Sequence, residues 1–155
     1  NVIMHEMLHV IGIGTLWGDR DLLTGGGGSD PRYTGAAALA GCQAAGGSVA
    51  CASSVPAEDQ GEAGSRDSHW REATFNTELM TSIFDAGTNE FSLMTIGALA
   101  DLGFVVNNTA ADTYTIAVNA LRAQLRLGTP MPHWENVVQP VGVLENGRIR
   151  PVRPR

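Results

Sequence analysis

Residues 5–9, inside "NVIMHEMLHVIGIGTLWG", spell H-E-x-x-H, and this spacing restricts the fold more than any other feature of the chain. In a helix histidines at i and i+4 project from the same side, and the motif is read as helix over residues 1–11. Ile3, Met7, Val10 and Ile11 supply apolar surface on its other sides, and Gly12 stands where a left-handed residue would end it. Two imidazoles on one face can each give a nitrogen to one Zn²⁺, and Glu6, the next residue along, reaches a water on that metal. Zinc brings the pKa of such a water towards neutrality. The carboxylate accepts its proton during attack on a carbonyl and can hand it to the leaving amine. The bland alternative is a chance match on an amphipathic helix, with a buried histidine pair satisfied by backbone carbonyls. Two histidines do not hold a catalytic zinc, so a third ligand must come from elsewhere in the chain.

Gly12 lies three positions past His9, as in the metzincin pattern H-E-x-x-H-x-x-G-x-x-H, where the glycine turns the chain back beneath the metal. The third histidine of that pattern would fall at position 15, which is Thr15. Either the site is of another kind, or an insertion has displaced the third ligand. A carboxylate ligand from a later helix is one alternative. Glu62, Glu72, Glu78 and Glu90 are available, but none sits in a clear helix with an Asp partner, and such sites do not need Gly12. The remaining histidines are His69 and His133. His69, in "DSHWREATFNTELMTSIFDAG", is followed eleven residues later by Met80. A methionine in a tight turn under the zinc is the second metzincin hallmark, whereas an isolated methionine in an apolar run is ordinary core. His133, in "PHWEN", has no such methionine after it and lies among prolines, as a surface histidine would. His69 is therefore the expected third ligand.

Taken together, "HEMLHVIGIGTLW", "SHWREATFNTELMT" and "LMTIGALADLGFVVN" resemble the leishmanolysin family of metzincin metallopeptidases in its bacterial form, over residues 1 to about 108. That family keeps the turn glycine and inserts a long segment before its third zinc histidine. The resemblance implies that His5, His9 and His69 bind Zn²⁺, that Glu6 is the general base, that Met80 is the Met-turn residue and that Gly12 turns the chain into the insertion. Trp70 and Glu72 match the family pattern as supports of the site. Ser82 stands where some metzincins carry a zinc-directed tyrosine, so no such group is expected. The implied activity is zinc-dependent endopeptidase action on proteins or peptides, extracellular or at the cell surface. A non-catalytic metzincin-like binding or adhesion module is the rival, although Glu6 and all three ligands are intact.

The implied fold is α+β: the C-terminal portion of a metzincin catalytic domain over 1–108, with an insertion at 13–68, followed by an unassigned extension at 109–155. The chain opens on Asn1 just before its motif and reads as a piece of a longer protein, with the substrate-binding sheet expected upstream. This portion should be mostly helix and loop. A short helix is expected around Thr34–Ala45, a long polar surface loop over "ASSVPAEDQGEAGSRDS", and a helix from Ser92 to a stop at Gly103. "FVVNN" reads as strand-like, and "DTYTIAVNALRAQLRLG" as strand turning into amphipathic helix. "GGGGSD" occurs once, so it is a flexible loop and not a calcium-binding repeat. Cys42 and Cys51 sit in a Gly- and Ser-rich context that suits a disulfide, with free thiols as the alternative. A net charge of −6 argues against a nucleic-acid partner, because phosphate binding needs a clustered positive surface, and the basic "RIRPVRPR" reads as a solvated tail. No apolar run reaches the roughly 20 residues needed to span a bilayer.

Overall fold

Helix α1 (Val2–Val10) ends in the way its glycine dictates. The amide of Gly12 bonds the carbonyl of His9 at 3.1 Å and the amide of Ile13 bonds that of Leu8 at 3.0 Å, the paired closure of a Schellman turn. Gly12 has φ +120°, and Leu8 and Ile13 meet in the core. The computed structural model describes residues 1–85, 87–116, 128–130, 143–145 and 148–150.

Beyond α1, the insertion is less open than a surface loop. Strands β1 (Leu23–Thr24), β2 (Arg32–Tyr33) and β3 (Val55–Pro56) form a small antiparallel sheet, with Thr24 opposite Arg32 and Tyr33 opposite Val55. Helix α2 (Ala36–Ala44) lies between β2 and β3. Residues 55–58, expected on the surface, are buried, because they continue as a ladder against the segment that carries His69. Glu58 N–H donates to His69 C=O at 2.8 Å and Arg71 N–H to Pro56 C=O at 3.1 Å. On the other side, Trp70 N–H donates to Met80 C=O at 2.9 Å. Cys42 and Cys51 form a disulfide that ties the end of α2 to the approach to β3.

Helix α3 (Glu72–Phe75) is a single turn, and β4 (Ile83–Asp85) pairs with β5 (Gly128–Pro130). Helix α4 (Leu93–Asp101) starts at Ser92, whose hydroxyl accepts from Thr95 N–H, and closes at Gly103 with the same paired bonds as α1. Helices α2 and α4 pack at close range: a Cβ on Gly41 would lie 2.5 Å from Leu93 O, and one on Gly97 would lie 2.4 Å from Ala37 O. Asp101 caps α2 from across this contact, accepting from Ala37 N–H at 2.9 Å and Ala38 N–H at 3.0 Å.

Three expectations fail here. "FVVNN" is not a strand: residues 104–107 are irregular and 108–110 form a 3₁₀ turn, with Val105 fully exposed and unpaired with any strand among the described residues. Residues 112–115 are also irregular, although Tyr114 is buried and donates its hydroxyl to Phe75 C=O at 2.6 Å. The helical half expected after Ile116 falls on residues 117–127, outside the described residues. Part of the basic tail is not loose, since β7 (Arg148–Arg150) pairs with β6 (Val143–Glu145).

The core is built around aromatic rings. Trp17, Tyr33, Trp70 and Phe75 are wholly buried, with centroids 4.5 Å apart for Trp17–Trp70 and 5.3 Å for Tyr33–Trp70. By contrast α1 keeps an apolar ridge in solvent, with Ile3, Met7 and Val10 exposed by 77, 62 and 83%. Among the described residues no helix is long and apolar enough to cross a membrane.

Candidate metal centre

His5 and His9 face inward from α1, one turn apart, and both are buried. His69 comes to them from the ladder and is wholly buried. The three Nε2 atoms stand 3.0 Å (His5–His9), 3.1 Å (His5–His69) and 3.1 Å (His9–His69) apart. They are the one group of metal-capable side chains of this kind among the described residues.

Each ring is held by its other nitrogen. His5 Nδ1 lies 2.7 Å from Leu79 C=O, His9 Nδ1 lies 2.8 Å from Ile13 C=O, and His69 Nδ1 lies 3.0 Å from Ser65 C=O. A carbonyl only accepts, so each Nδ1 carries the proton and each Nε2 of a neutral ring presents a lone pair. Three lone pairs meeting at this distance repel unless a cation lies between them. The spacing is close to the roughly 3.3 Å that a metal 2.0–2.1 Å from each nitrogen imposes in tetrahedral geometry. Donor type, tautomer and spacing all fit zinc, and the carbonyl partners are the orienting contacts that metal-bound imidazoles require.

The turn after α1 has a direct part in this. By closing at Gly12 it folds Ile13 C=O back onto His9, and Gly14 (φ +76°) then passes so close to the His69 segment that a Cβ there would lie 1.9 Å from Ser68 O. Thr15, where a shorter insertion would carry the third histidine, instead donates its hydroxyl to His9 C=O at 2.9 Å. Ser68 donates to Gly64 C=O at 2.6 Å and stiffens the turn that presents Ser65 C=O.

Glu6 lies between the two α1 histidines and is half-buried. Met80 is wholly buried in the turn that follows α3, its carbonyl bonded to Trp70 N–H. Glu72 heads α3 and is not part of the histidine group. Burial pushes its carboxyl up to about 8, helped by the charges of Asp85 and Glu58 and opposed by a hydrogen bond from Thr81. None of Glu62, Glu72, Glu78 or Glu90 joins the histidines. His133 lies outside the described residues.

Sequence reasoning missed Glu58 and Glu78, both buried carboxylates. Glu58 gathers Asp59 N–H, Gln60 N–H, Glu72 N–H and the Ser82 hydroxyl around itself. Glu78 was weighed only as a metal ligand. Its place two residues before Met80, with Ser and Thr opening the next helix, was the available signal.

The family model of leishmanolysin, peptidase family M8, matches residues 1–124. The chain belongs to the leishmanolysin family. This is a family of zinc metallopeptidases, and its match runs past residue 108, where the resemblance had been read to stop. No curated protein and no solved structure matches the chain. For a leishmanolysin-family chain, the buried His5, His9 and His69 are a group that could hold the family's metal.

Proposed function

We propose that this chain carries the zinc centre of an endopeptidase acting on proteins or peptides. His5, His9 and His69 are the ligands, Glu6 is the general base, and Met80 is the Met-turn residue. The observation that carries this reading is the convergence of three Nε2 lone pairs whose tautomers are set by Leu79, Ile13 and Ser65 carbonyls. When bound, zinc supplies a Lewis acid that polarises a carbonyl and lowers the pKa of a water towards neutrality. Three neutral imidazoles leave the full charge of the ion available for that task. Glu6 sits beside His5 on α1 and, unlike the two histidines, keeps contact with solvent. A carboxylate so placed takes a proton from water as it attacks and returns it to the departing amine. The Cys42–Cys51 disulfide supports an oxidising, extracellular or cell-surface setting. No observation favours a non-catalytic binding module.

The test is zinc per chain by elemental analysis, with His69→Ala and His133→Ala beside wild type. One zinc per wild-type chain, lost with His69→Ala and kept with His133→Ala, is the expected result. The reverse pattern would remove His69 from the site and Met80 with it. Glu6→Gln should keep the zinc. A hydroxamate should raise the unfolding temperature of the zinc-loaded chain, because a catalytic site leaves one position open whereas a closed structural site does not.

A further inference from the structure

Glu78 is a wholly buried carboxylate set among neutral donors. One oxygen, Oε1, accepts from Ser92 Oγ at 2.6 Å, Thr95 Oγ1 at 2.5 Å and Ser92 N–H at 3.4 Å. The other, Oε2, accepts from Met80 N–H at 2.5 Å. Burying a carboxylate without a cation is costly, and hydrophobic residues would seal the base of α4 equally well. What distinguishes the carboxylate is the bond from Oε2.

Met80 N–H and Leu79 C=O belong to the same peptide group. That group is planar and trans, so its N–H and C=O point in opposite directions from one rigid unit. Glu78 grips the N–H side, and His5 Nδ1–H bonds the C=O side at 2.7 Å. A carboxylate on the N–H also draws electron density onto the carbonyl oxygen and strengthens it as an acceptor. The result is a carboxylate–peptide–imidazole relay. It resembles the direct carboxylate–histidine pairing that orients metal ligands and raises their basicity, with one peptide group interposed.

We propose that Glu78 is a positioning residue for the metal centre, acting on His5 through the Leu79–Met80 peptide group. This rests on His5 being a zinc ligand.

The experiment compares the wild-type chain with His5→Ala, Glu78→Gln and Ser92→Ala. Two readouts are used: zinc affinity by competition with a chromophoric chelator, and the visible spectrum of the Co²⁺-loaded protein. Glu78→Gln should weaken zinc about tenfold and alter the cobalt spectrum, as loss of an orienting contact does. Ser92→Ala removes the α4 cap and one bond to Oε1 but leaves the Met80 contact, so it should lower the unfolding temperature while zinc affinity and spectrum stay near wild type. If Glu78→Gln matches wild type in both readouts while His5→Ala loses zinc, the relay is wrong and the site reading stands. Equal losses in Glu78→Gln and Ser92→Ala reduce Glu78 to packing and also overturn the proposal. Undiminished zinc in His5→Ala overturns the site reading, and the relay with it. Should Glu78→Gln fail to fold, the wild-type chain still decides. The Met80 amide proton should resonate far downfield and move when zinc is added, and a resonance insensitive to zinc would refute the coupling.

Discussion

Thr15 and Glu72 show what single residues do around the centre. Thr15 takes the place of a ligand yet spends its hydroxyl on His9 C=O, so it tightens the end of α1 under one of the imidazoles. Thr15→Val should leave one zinc per chain and lower the unfolding free energy, read from urea denaturation, by about 1 kcal/mol, the usual net worth of such a bond. Glu72 makes a pH-dependent contribution whose sign follows from its carboxyl being held up at about 8 by burial. The folded state then keeps a proton that the unfolded state has released, so this contribution is complete below the ordinary carboxylate range and is lost as pH rises through about 8. Glu72→Gln removes the dependence. Urea midpoints of metal-free wild type and variant should therefore separate in the variant's favour between pH 5 and pH 8, and parallel midpoints would contradict the assignment. At this scale the sequence was informative wherever chemistry is carried by side-chain identity. The grouping of His5 and His9 was legible from local spacing and the choice of His69 from the sequence after it, whereas the roles of Glu6 and Met80 stay proposals. The carbonyls of Ile13, Ser65 and Leu79, which hold the rings, were not legible, because every residue owns a carbonyl and only the fold selects three of them.

Among the elements, the three longer helices announced themselves, whereas the single turn α3 and the strands did not. Helices α1, α2 and α4 lie within two residues of their expected limits because caps and stops are local: Ser92 accepts from Thr95 N–H, and Gly12 and Gly103 close their turns. Strands β1, β2 and β3 have two residues each, too short for any alternation to register, and they exist because partners distant in sequence, such as Arg32 and Pro56, line up beside one another. "FVVNN" is the converse case, a β-branched run that pairs with no strand among the described residues. The turn between α1 and the insertion is the element on which the site most depends. Gly14→Ala would set a Cβ 1.9 Å from Ser68 O at φ +76°, next to His69. It should cost about 1–3 kcal/mol in stability and weaken zinc as well, since the obstacle is backbone that carries a ligand. Urea denaturation and chelator competition measure the two effects. A variant that lost stability alone would mean that the His69 segment gives way without moving the ring.

For the whole molecule, the Cys42–Cys51 disulfide ties the insertion internally, and a metal on the three histidines would be a second cross-link of different chemistry. Reducing the Cys42–Cys51 disulfide opens a loop of sequence separation 9 and should lower stability by at most about 2.5 kcal/mol. Chelation should act separately: at zinc a hundredfold above its dissociation constant, removing the metal withdraws about 2.7 kcal/mol, visible as a lower unfolding temperature that returns with added zinc. The two effects should add, because the disulfide and the histidines share no partner. The aromatic core under Trp70 and the α2–α4 contact were not readable in advance, because they join residues whose adjacency only the chain path creates. The histidine cluster has one more consequence, seen when the chain is treated as a polymer. His9 and His69 are 60 positions apart, so a metal between them closes a ring of that length. The entropy of closing a ring grows only with the logarithm of its size, and doubling this one would cost roughly 0.6 kcal/mol. A centre assembled in this way tolerates drift in the length of the segment it encloses, provided that Gly12 and Gly14 launch the ring and the His69 ladder receives it.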